Sequence, residues 1–449
     1  MALGFVGLPL PASIGGVPPG LARASGDVRT PRIPGSGADP ALRRDCAARD
    51  RHPGPPVTSV QPDRPDAAPQ PGDDLVAFSS PRRRLWGTGT AQRIELPAPW
   101  PEHVGRVGEV LASLVDGDGV AEPGTGPVAF GALPYDRSVA ASLVVPAVIH
   151  GCSPDGRRWV THVGAERTVD GATPPAPQRL EVRAVRDPDA WCDDVRTATK
   201  HITDGRLVKV VLARELSLRA DAPFDPATVF LRLCESAPHA FTFCVDGFVG
   251  ASPELLVSRL GDVVRAQPMA GTAPRTGDPE TDRRVAAALA ASTKDRWEHQ
   301  ITIDAVHDAI LGWCSYLDAE PAPSVVDAGP VQHLATLVEG RLSAPVPSVL
   351  DLVAALHPTP AVGGWPQDEA LQLQATLEQA DRGRYAGPVG WVDAAGNGAF
   401  AVGIRSAELD GPSARVFAGV GVVADSDPAA ELAETQSKAR AILDALGRP

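Results

Sequence analysis

Lysine is the rarest cationic residue in this chain, and one lysine occupies an unusual place. Only four of the 42 basic residues are lysine, so the chain supplies arginine almost wherever positive charge alone is needed. Lys209 lies inside the apolar run of residues 207–213. Arginine stays protonated in proteins, whereas a buried lysine can give up its proton and act as a base. Lys209 is therefore a candidate base, although a lysine that points into water from an edge strand has the same pattern.

A carboxyl group that could play the opposite role follows in Ser252-Pro-Glu254, beside two leucines. Burial against apolar neighbours raises the pKa of a glutamate and lets it hold a proton near neutral pH. Glu254 is therefore a candidate acid. A glutamate at a strand end that accepts hydrogen bonds from backbone amides would show the same sequence.

Charged residues also recur on two helical segments. Residues 282–311 have the periodicity of one long amphipathic helix, with Glu298 near its centre. In the last helix Glu431, Glu434 and Lys438 are three and four residues apart and therefore share one face. Taken alone, this spacing favours a solvated ladder of ion pairs.

Residues 387–393 and 399–405 are predicted to form the two strands of a hairpin, and Arg405 ends the second strand. In strand alternation Arg405 shares its face with the small residues Ala401 and Gly403. These neighbours leave the guanidinium room to meet a ligand, although an arginine at a strand end is commonly just solvated.

The amino-acid composition of the chain limits the kinds of molecule that it is expected to bind. A chain of 449 residues with 43% apolar content predicts one large domain or two smaller ones. The net charge of -13 argues against a nucleic-acid surface and against binding to anionic lipid. No stretch is long and apolar enough to span a membrane, and the first residues lack the basic segment of a secretory signal. The six cysteines form no C-x-x-C pair, which predicts reduced thiols, a cytoplasmic protein and no structural zinc.

The candidate residues need strands and helices to position them. Alternation predicts that Lys209 faces away from Val210 and Leu212. Asp-Gly and Gly-Asp turns within residues 241–272 predict a meander of strands around Glu254. Further strands are predicted at 128–136, 141–146 and 415–423, and helices at 187–201, 226–236, 349–356, 369–380 and from 426 onward.

The first 74 residues differ in composition from the rest. Residues 1–74 are rich in Pro, Gly, Ala, Arg and Asp and have no helical or strand period. They predict a disordered extension, or a wrongly assigned start codon, followed by one catalytic domain over residues 75–449.

Several segments together resemble the chorismate-utilising enzymes, and among them the isochorismate synthases. The matching segments occur in the expected order from about residue 74 to the end. They are Gly131-Ala-Leu-Pro-Tyr-Asp136, Lys209-Val-Val-Leu-Ala-Arg214, Gly250-Ala-Ser-Pro-Glu-Leu-Leu256, Pro268-Met-Ala-Gly-Thr-Ala-Pro-Arg275, Ser292-Thr-Lys-Asp-Arg-Trp-Glu-His299, His357-Pro-Thr-Pro-Ala-Val362, residues 398–405, and Phe417-Ala-Gly-Val-Gly421 with Glu434-Thr435.

The resemblance implies an α+β fold of two stacked antiparallel sheets flanked by helices, with the site between them. It also implies a magnesium-dependent isomerase that interconverts chorismate and isochorismate, adding water at ring C2 as hydroxide leaves C4. Such chemistry requires a base, an acid and neutralisation of two substrate carboxylates.

The roles implied by the resemblance fall on particular residues. Lys209 matches the base and Glu254 the acid, while Glu298 and Glu434 match the Mg²⁺ ligands, and Glu431 is a possible water-mediated ligand. The residues matched to substrate binding are Gly271, Thr272, His333, Ala361, Arg405, Gly419 and Lys438, of which His333 is expected only to position others.

Differences among the relatives point to water as the nucleophile. The ammonia-adding relatives usually carry glutamine at the position of Lys209, and the aminodeoxychorismate branch carries a lysine at the position of Ala270. No glutaminase partner is therefore expected. Salicylate synthases share the base lysine but differ around His357, so isochorismate formation followed by pyruvate elimination is the alternative activity.

A second alternative is a non-catalytic chorismate-binding protein, against which the presence of both Lys209 and Glu254 argues. The Val362-Gly363 pair departs from the larger leucine and the serine or cysteine of siderophore-pathway synthases, and this leaves a roomier pocket. The resemblance further implies a role in siderophore or menaquinone synthesis and a monomeric protein.

Overall fold

Short antiparallel strands dominate the fold. The computed structural model describes residues 57–62, 68–115, 122–163 and 175–447. The strands are β1 (Val57–Pro62), β2 (Leu75–Ser79), β3 (Arg84–Thr88), β4 (Gln92–Leu96), β5 (Val128–Ala132), β6 (Ala141–Val145), β7 (Val148–Cys152), β8 (Arg158–Val163), β9 (Leu180–Ala184), β10 (Lys209–Ala220), β11 (Phe241–Val245), β12 (Phe248–Ser252), β13 (Leu255–Leu260), β14 (Val263–Gln267), β15 (Met269–Pro274), β16 (Cys314–Ala319), β17 (Ser324–Ala328), β18 (Val331–Ala335), β19 (Val338–Leu342), β20 (Gly364–Trp365), β21 (Pro388–Asp393), β22 (Gly398–Val402), β23 (Ser406–Asp410) and β24 (Ser413–Val422).

Helices connect the strands and cover one side of them. They are α1 (Gly105–Ser113), α2 (Pro188–Thr203), α3 (Pro226–Ser236), α4 (Pro279–Ala291), α5 (Thr293–Leu311), α6 (Val349–Leu356), α7 (Gln367–Glu378) and α8 (Pro428–Gly447), with a 3₁₀ turn at Trp100–His103. None of these helices combines the length and the apolar sequence that a membrane span requires.

The strands form two large sheets and a small one. The first sheet has 12 strands in the order β1-β8-β7-β3-β2-β11-β12-β23-β24-β10-β20, with β9 also paired to β10. The second has nine strands in the order β16-β19-β14-β13-β22-β21-β5-β6-β4, and the third has the order β15-β18-β17. The predicted α+β fold of two antiparallel sheets with flanking helices is confirmed, and the three-stranded sheet adds to it.

Side-chain alternation explains how the layers pack. On β11, Phe243 points into the large core shared by the two big sheets, whereas Cys244 joins a second core beneath helices α3 and α8. On β10, Val210 and Leu212 join a third core with α2 and α7. Alternating residues of a strand thus lie on opposite faces of the sheet. Each large sheet is therefore apolar where it packs against another layer. The predicted orientation of Lys209 away from Val210 and Leu212 is confirmed.

The chain passes from the first large sheet to the second at two places that matter for the site. β12 and β13 lie in different sheets, so Ser252-Pro-Glu254 is a crossing and not part of one strand. β22 and β23 also lie in different sheets, and Gly403-Ile-Arg405 connects them. The two crossings are joined by hydrogen bonds from Val402 N to Glu254 O (3.1 Å) and from Ala251 N to Arg405 O (3.2 Å).

The crossing at Arg405 corrects the predicted hairpin. β22 ends at Val402, so Arg405 does not extend the strand with Ala401 and Gly403. Arg405 instead has a left-handed backbone with φ of 55°. The chain must turn there to enter the other sheet, and this conformation is uncommon for a residue with a side chain.

The predicted extension is also corrected over a short segment. Residues 57–62, which fall within the predicted extension 1–74, form strand β1 and pair with β8. An edge strand supplies partners for the backbone groups of β8, which explains why this segment is ordered. Residues 1–56 and 63–67 lie outside the described part of the chain.

The single long helix predicted over residues 282–311 is two helices. Ser292 has extended backbone angles (φ -65°, ψ 117°) and separates α4 from α5. Its side chain accepts a hydrogen bond from Asp295 N at 3.2 Å and so caps α5.

Replacing Ser292→Ala should lower the free energy of unfolding by about 1 kcal/mol, because the N–H of Asp295 loses its acceptor. Urea denaturation measures the change. Ser343→Ala, at an exposed serine of a loop, is the control and should have no measurable effect. Equal stability of Ser292→Ala and the unchanged protein would show that the cap does not matter.

Candidate active site

One cavity, with a volume of about 180 Å³, gathers every residue that the sequence singled out for catalysis, substrate binding or metal. These eleven residues come from nine different segments of the chain. They are Lys209, Glu254, Gly271, Thr272, Glu298, His333, Ala361, Arg405, Gly419, Glu434 and Lys438.

The two sheet crossings supply Glu254 and Arg405. A crossing residue leaves one sheet before it enters the next, so its side chain can project between the layers. Glu254 is 4% exposed and Arg405 is 9% exposed. The cavity therefore lies at the point where the chain changes sheets.

Lys209 begins β10 and is buried, with 2% of its surface exposed. Its ammonium nitrogen lies 2.7 Å from Glu298 Oε1, on helix α5. The interpretation of Lys209 as a solvated edge-strand lysine is therefore wrong. Gly421, on the neighbouring strand β24, makes room for this pair, because a Cβ there would lie 2.8 Å from Lys209 Cε and 2.9 Å from Glu298 Oε1.

Glu254 differs from Glu298 and Glu434 because no basic side chain forms an ion pair with it in the described residues. Burial raises the pKa of Glu254 to about 7, and the Met269 N–H and the charges of Lys209, Arg405 and Lys438 only partly oppose that rise. At neutral pH a large fraction of Glu254 therefore carries a proton that it can donate.

His333 and Arg405 face each other, and their contact sets the histidine tautomer. Arg405 Nη2 lies 3.3 Å from His333 Nε2. A guanidinium only donates, so Nε2 is the acceptor and Nδ1 carries the hydrogen. Nδ1 accordingly donates to Gly271 O at 3.0 Å. Burial, with the nearby charges of Arg405 and Lys438, lowers the pKa of His333 to about 3, so the ring is neutral.

Helix α8 brings a second lysine-glutamate pair to the cavity. Lys438 Nζ lies 2.5 Å from Glu434 Oε1 and donates to Gly419 O at 3.1 Å. Burial alone would raise the pKa of Glu434, but the Lys438 charge, with hydrogen bonds from Lys438 and Thr272, lowers it below the usual value. Glu434 is therefore ionised, and the pair is not the solvated ladder that its spacing favoured.

Carboxylate oxygens from α5 and α8 form the part of the cavity that could hold a hard cation. Glu298, Glu431 and Glu434 all line it. Burial raises the pKa of Glu431 to about 7, and the neighbouring Glu434 charge contributes to the rise. In the described residues no three His, Cys, Asp or Glu side chains already converge on one point. The donors fit Mg²⁺, which accepts a few carboxylates and completes its shell with water and substrate oxygens.

The cavity includes residues that the sequence reasoning did not select. Lys294 and Asp295 come from the first turn of α5, Tyr385 precedes β21, and Gly421 lies on β24. The scarcity of lysine was a usable signal, because three of the four lysines line this one cavity. Tyrosine is rarer still, with three in the chain, and would have pointed to Tyr385 in the same way.

Comparisons with known proteins agree with this geometry. A family model described as "Chorismate binding enzyme" matches residues 158–447. The chain is similar to isochorismate synthase DhbC of Bacillus subtilis (strain 168), with 39% identity over 332 residues that cover 72% of this chain and 81% of the relative. It is also similar to isochorismate synthase MenF of the same strain, with 36% identity over 354 residues that cover 72% and 75%.

A solved structure supports the same relationship. DhbC from Bacillus anthracis superposes with a TM-score of 0.73 and is 34% identical in sequence. The match covers 85% of this chain and 98% of that one. The similarity therefore extends over both large sheets.

Gly421→Ala should lower the free energy of unfolding by about 1–3 kcal/mol, because the added methyl group overlaps the Lys209–Glu298 pair. Urea denaturation measures the loss, and a crystal structure of the variant should show one of the two side chains displaced. Gly108→Ala on α1, where a Cβ meets no neighbour within 4 Å, is the control. If Gly421→Ala kept both its stability and the pair, the packing argument would be wrong.

Proposed function

This chain belongs to the chorismate-binding enzyme family, and from that premise we propose how its cavity catalyses the isomerisation of chorismate. The protein is an isochorismate synthase, an isomerase that converts chorismate to isochorismate. Water is added at ring C2, the ring double bonds shift, and the C4 hydroxyl leaves. One water molecule enters and one leaves, so the substrate and product have the same atoms.

The observation that carries the mechanism is the presence of a buried amine and a buried, protonatable carboxyl in the same cavity. We assign Lys209 as the base that takes a proton from the attacking water. We assign Glu254 as the acid that protonates the departing C4 hydroxyl. The pKa of Glu254, raised to about 7 by burial, supports this assignment because the acid must hold its proton before the step.

The substrate is a dianion, and the cavity offers cations for it. Arg405 is buried, its Nε atom has no hydrogen-bond partner among the described residues, and its guanidinium can bind a carboxylate through two parallel hydrogen bonds. Lys438, held by Gly419 O, can serve the second carboxylate. Gly271, Thr272 and Ala361 complete the walls, and His333 orients Arg405.

We propose that Glu298 and Glu434 hold Mg²⁺, with Glu431 close enough to act through a water. When bound, the cation supplies positive charge that neutralises a substrate carboxylate. Glu298 also pairs with Lys209, so the base and the metal site are coupled through one carboxylate.

Water as the nucleophile removes the need for an ammonia-supplying subunit, and Ala270 leaves no amine at the position where the aminodeoxychorismate branch uses one. We further propose that the protein acts in the cytoplasm. The five cysteines among the described residues are free thiols, as a reducing compartment would keep them.

Purified protein with chorismate and Mg²⁺ should form isochorismate in equilibrium with chorismate, and a chelator should stop the conversion. Chromatography of the products measures it. Lys209→Ala and Glu254→Gln should abolish conversion but retain chorismate binding, because neither residue is needed to neutralise the substrate. Salicylate with pyruvate, or anthranilate on adding ammonia, would replace the proposed reaction with a different one.

The activity should also fall as pH rises. Glu254 is protonated below its pKa of about 7 and loses its proton above it, so kcat/KM should decrease on the alkaline side of neutrality. Exposed Glu235→Gln should leave the profile unchanged. A rate independent of pH between about 6 and about 9 would contradict Glu254 as the acid.

A further inference from the structure

Part of the edge of β10 has no neighbouring strand. β24 covers one edge over almost the whole length of β10. On the other edge β20 pairs only with Lys209 and Val210, and β9 pairs only from Leu216 onward. Between them, no strand in the described residues supplies hydrogen bonds to Val211 and Ala213. Unpaired backbone groups in a buried position are costly, so something else must satisfy them.

Two of these groups are satisfied by other residues, because Val211 N donates to Gly363 O at 2.9 Å and Trp191 Nε1 donates to Ala213 O at 3.3 Å. The side chains of Gln374, Glu378 and Arg382, which we call the edge clamp, satisfy Val211 O and Ala213 N. Val211 O accepts from Gln374 Nε2 at 2.8 Å and from Arg382 Nη2 at 3.0 Å. Glu378 Oε1 accepts from Ala213 N at 2.8 Å. Gln374 and Glu378 are four residues apart on α7 and share a helix face, and Arg382 comes from the loop that follows the helix.

The same side chains also bind segment 361–363, which lies beside β10 and whose Gly363 O accepts from Val211 N at 2.9 Å. Arg382 Nη1 donates to Val362 O at 2.9 Å, and Gln374 Nε2 donates to Gly363 O at 2.6 Å. Val362 lines the cavity, as do Lys209 and Val211 on β10. The edge clamp thus ties two walls of the site to each other without lining the cavity itself.

The edge clamp is rigid because it is buried and internally paired. The side chains of Arg382 and Glu378 are 4% and 8% exposed and form an ion pair at 2.5 Å. Burial alone would lower the pKa of Arg382, but the Glu378 charge raises it, so the guanidinium stays charged. Tyr135 donates to Gln374 Oε1 at 2.9 Å, which turns the amide nitrogen toward the carbonyls.

We propose that Gln374, Glu378 and Arg382 are positioning residues that hold Lys209 and the segment 361–363 at the distance the isomerisation requires. The proposal rests on the role of Lys209 proposed above. A displacement of 1 Å in a reacting group can reduce the rate by about 100-fold. Chorismate binding depends on other residues, Arg405 and Lys438, so loosening the clamp should affect turnover more than substrate affinity.

The test separates positioning from stability with a double variant. Glu378→Leu leaves a buried guanidinium unpaired and should lower the urea midpoint clearly. Glu378→Leu/Arg382→Met removes both charges and should recover most of the midpoint, since apolar residues often replace a buried ion pair without loss. It does not restore the hydrogen bonds to Ala213 N and Val362 O. We therefore expect kcat to remain about tenfold or more below the unchanged protein, with KM within about threefold.

Two further variants keep the proposal testable if the charge variants do not fold. Gln374→Met removes no charge, so it should fold, and it should lower kcat severalfold with little change in KM. Glu408→Gln is the matched control, because Glu408 is a half-buried partner of Arg384 (3.1 Å) and Arg415 (3.4 Å) outside the cavity. Glu408→Gln should lower the urea midpoint and leave kcat unchanged.

The outcomes distinguish three cases. Recovery of kcat together with stability in the double variant, or an unchanged kcat in Gln374→Met, would show a purely structural clamp and overturn the proposal. A loss confined to KM would also overturn it. If the unchanged protein makes no isochorismate, or Lys209→Ala remains active, the proposed function or the role of Lys209 fails instead.

Discussion

The ion pair between Lys209 and Glu298 is the interaction on which the rest of the site depends. Both side chains are buried, at 3% and 12% exposure, and a buried charge without a partner is strongly unfavourable. A second ion pair in the cavity, between Lys438 and Glu434, compensates the charge of another lysine in the same way. Glu254 has no such partner in the described part of the chain, and burial raises its pKa to about 7, so that it can hold a proton. The requirement to compensate charge therefore produces both a proton donor and paired cations in one place.

The architecture of the sheets explains why these charges can be buried together. A side chain on a strand faces a packed apolar layer, solvent or, as Lys209 and His333 do, the cavity. At the two crossings the chain belongs to neither sheet, and Glu254 and Arg405 project into the space that results. Backbone hydrogen bonds between the crossings keep this space from collapsing. Helices α5 and α8 then close it with the carboxylates of Glu298 and Glu434.

Substrate binding and proton transfer are assigned to different side chains of the cavity. Arg405 and Lys438 meet the negative charge of the substrate, whereas Lys209 and Glu254 handle protons. Side chains of α7 and the loop after it hold segment 361–363 beside β10. Replacing a strand with side chains leaves the position open for the segment 361–363, which lines the cavity.

Local sequence patterns determined much of this protein. Alternation and periodicity act over a few residues, so most helices, about half of the strands and the orientation of Lys209 on β10 followed from them. Scarce residue types and the resemblance of short segments identified eleven residues that share one cavity. Tertiary structure decided the burial of Lys209, its pairing with Glu298, the left-handed turn at Arg405 and the contacts of Gln374, Glu378 and Arg382. These features depend on groups up to 239 residues apart in the chain, and local periodicity carries no information about such distances.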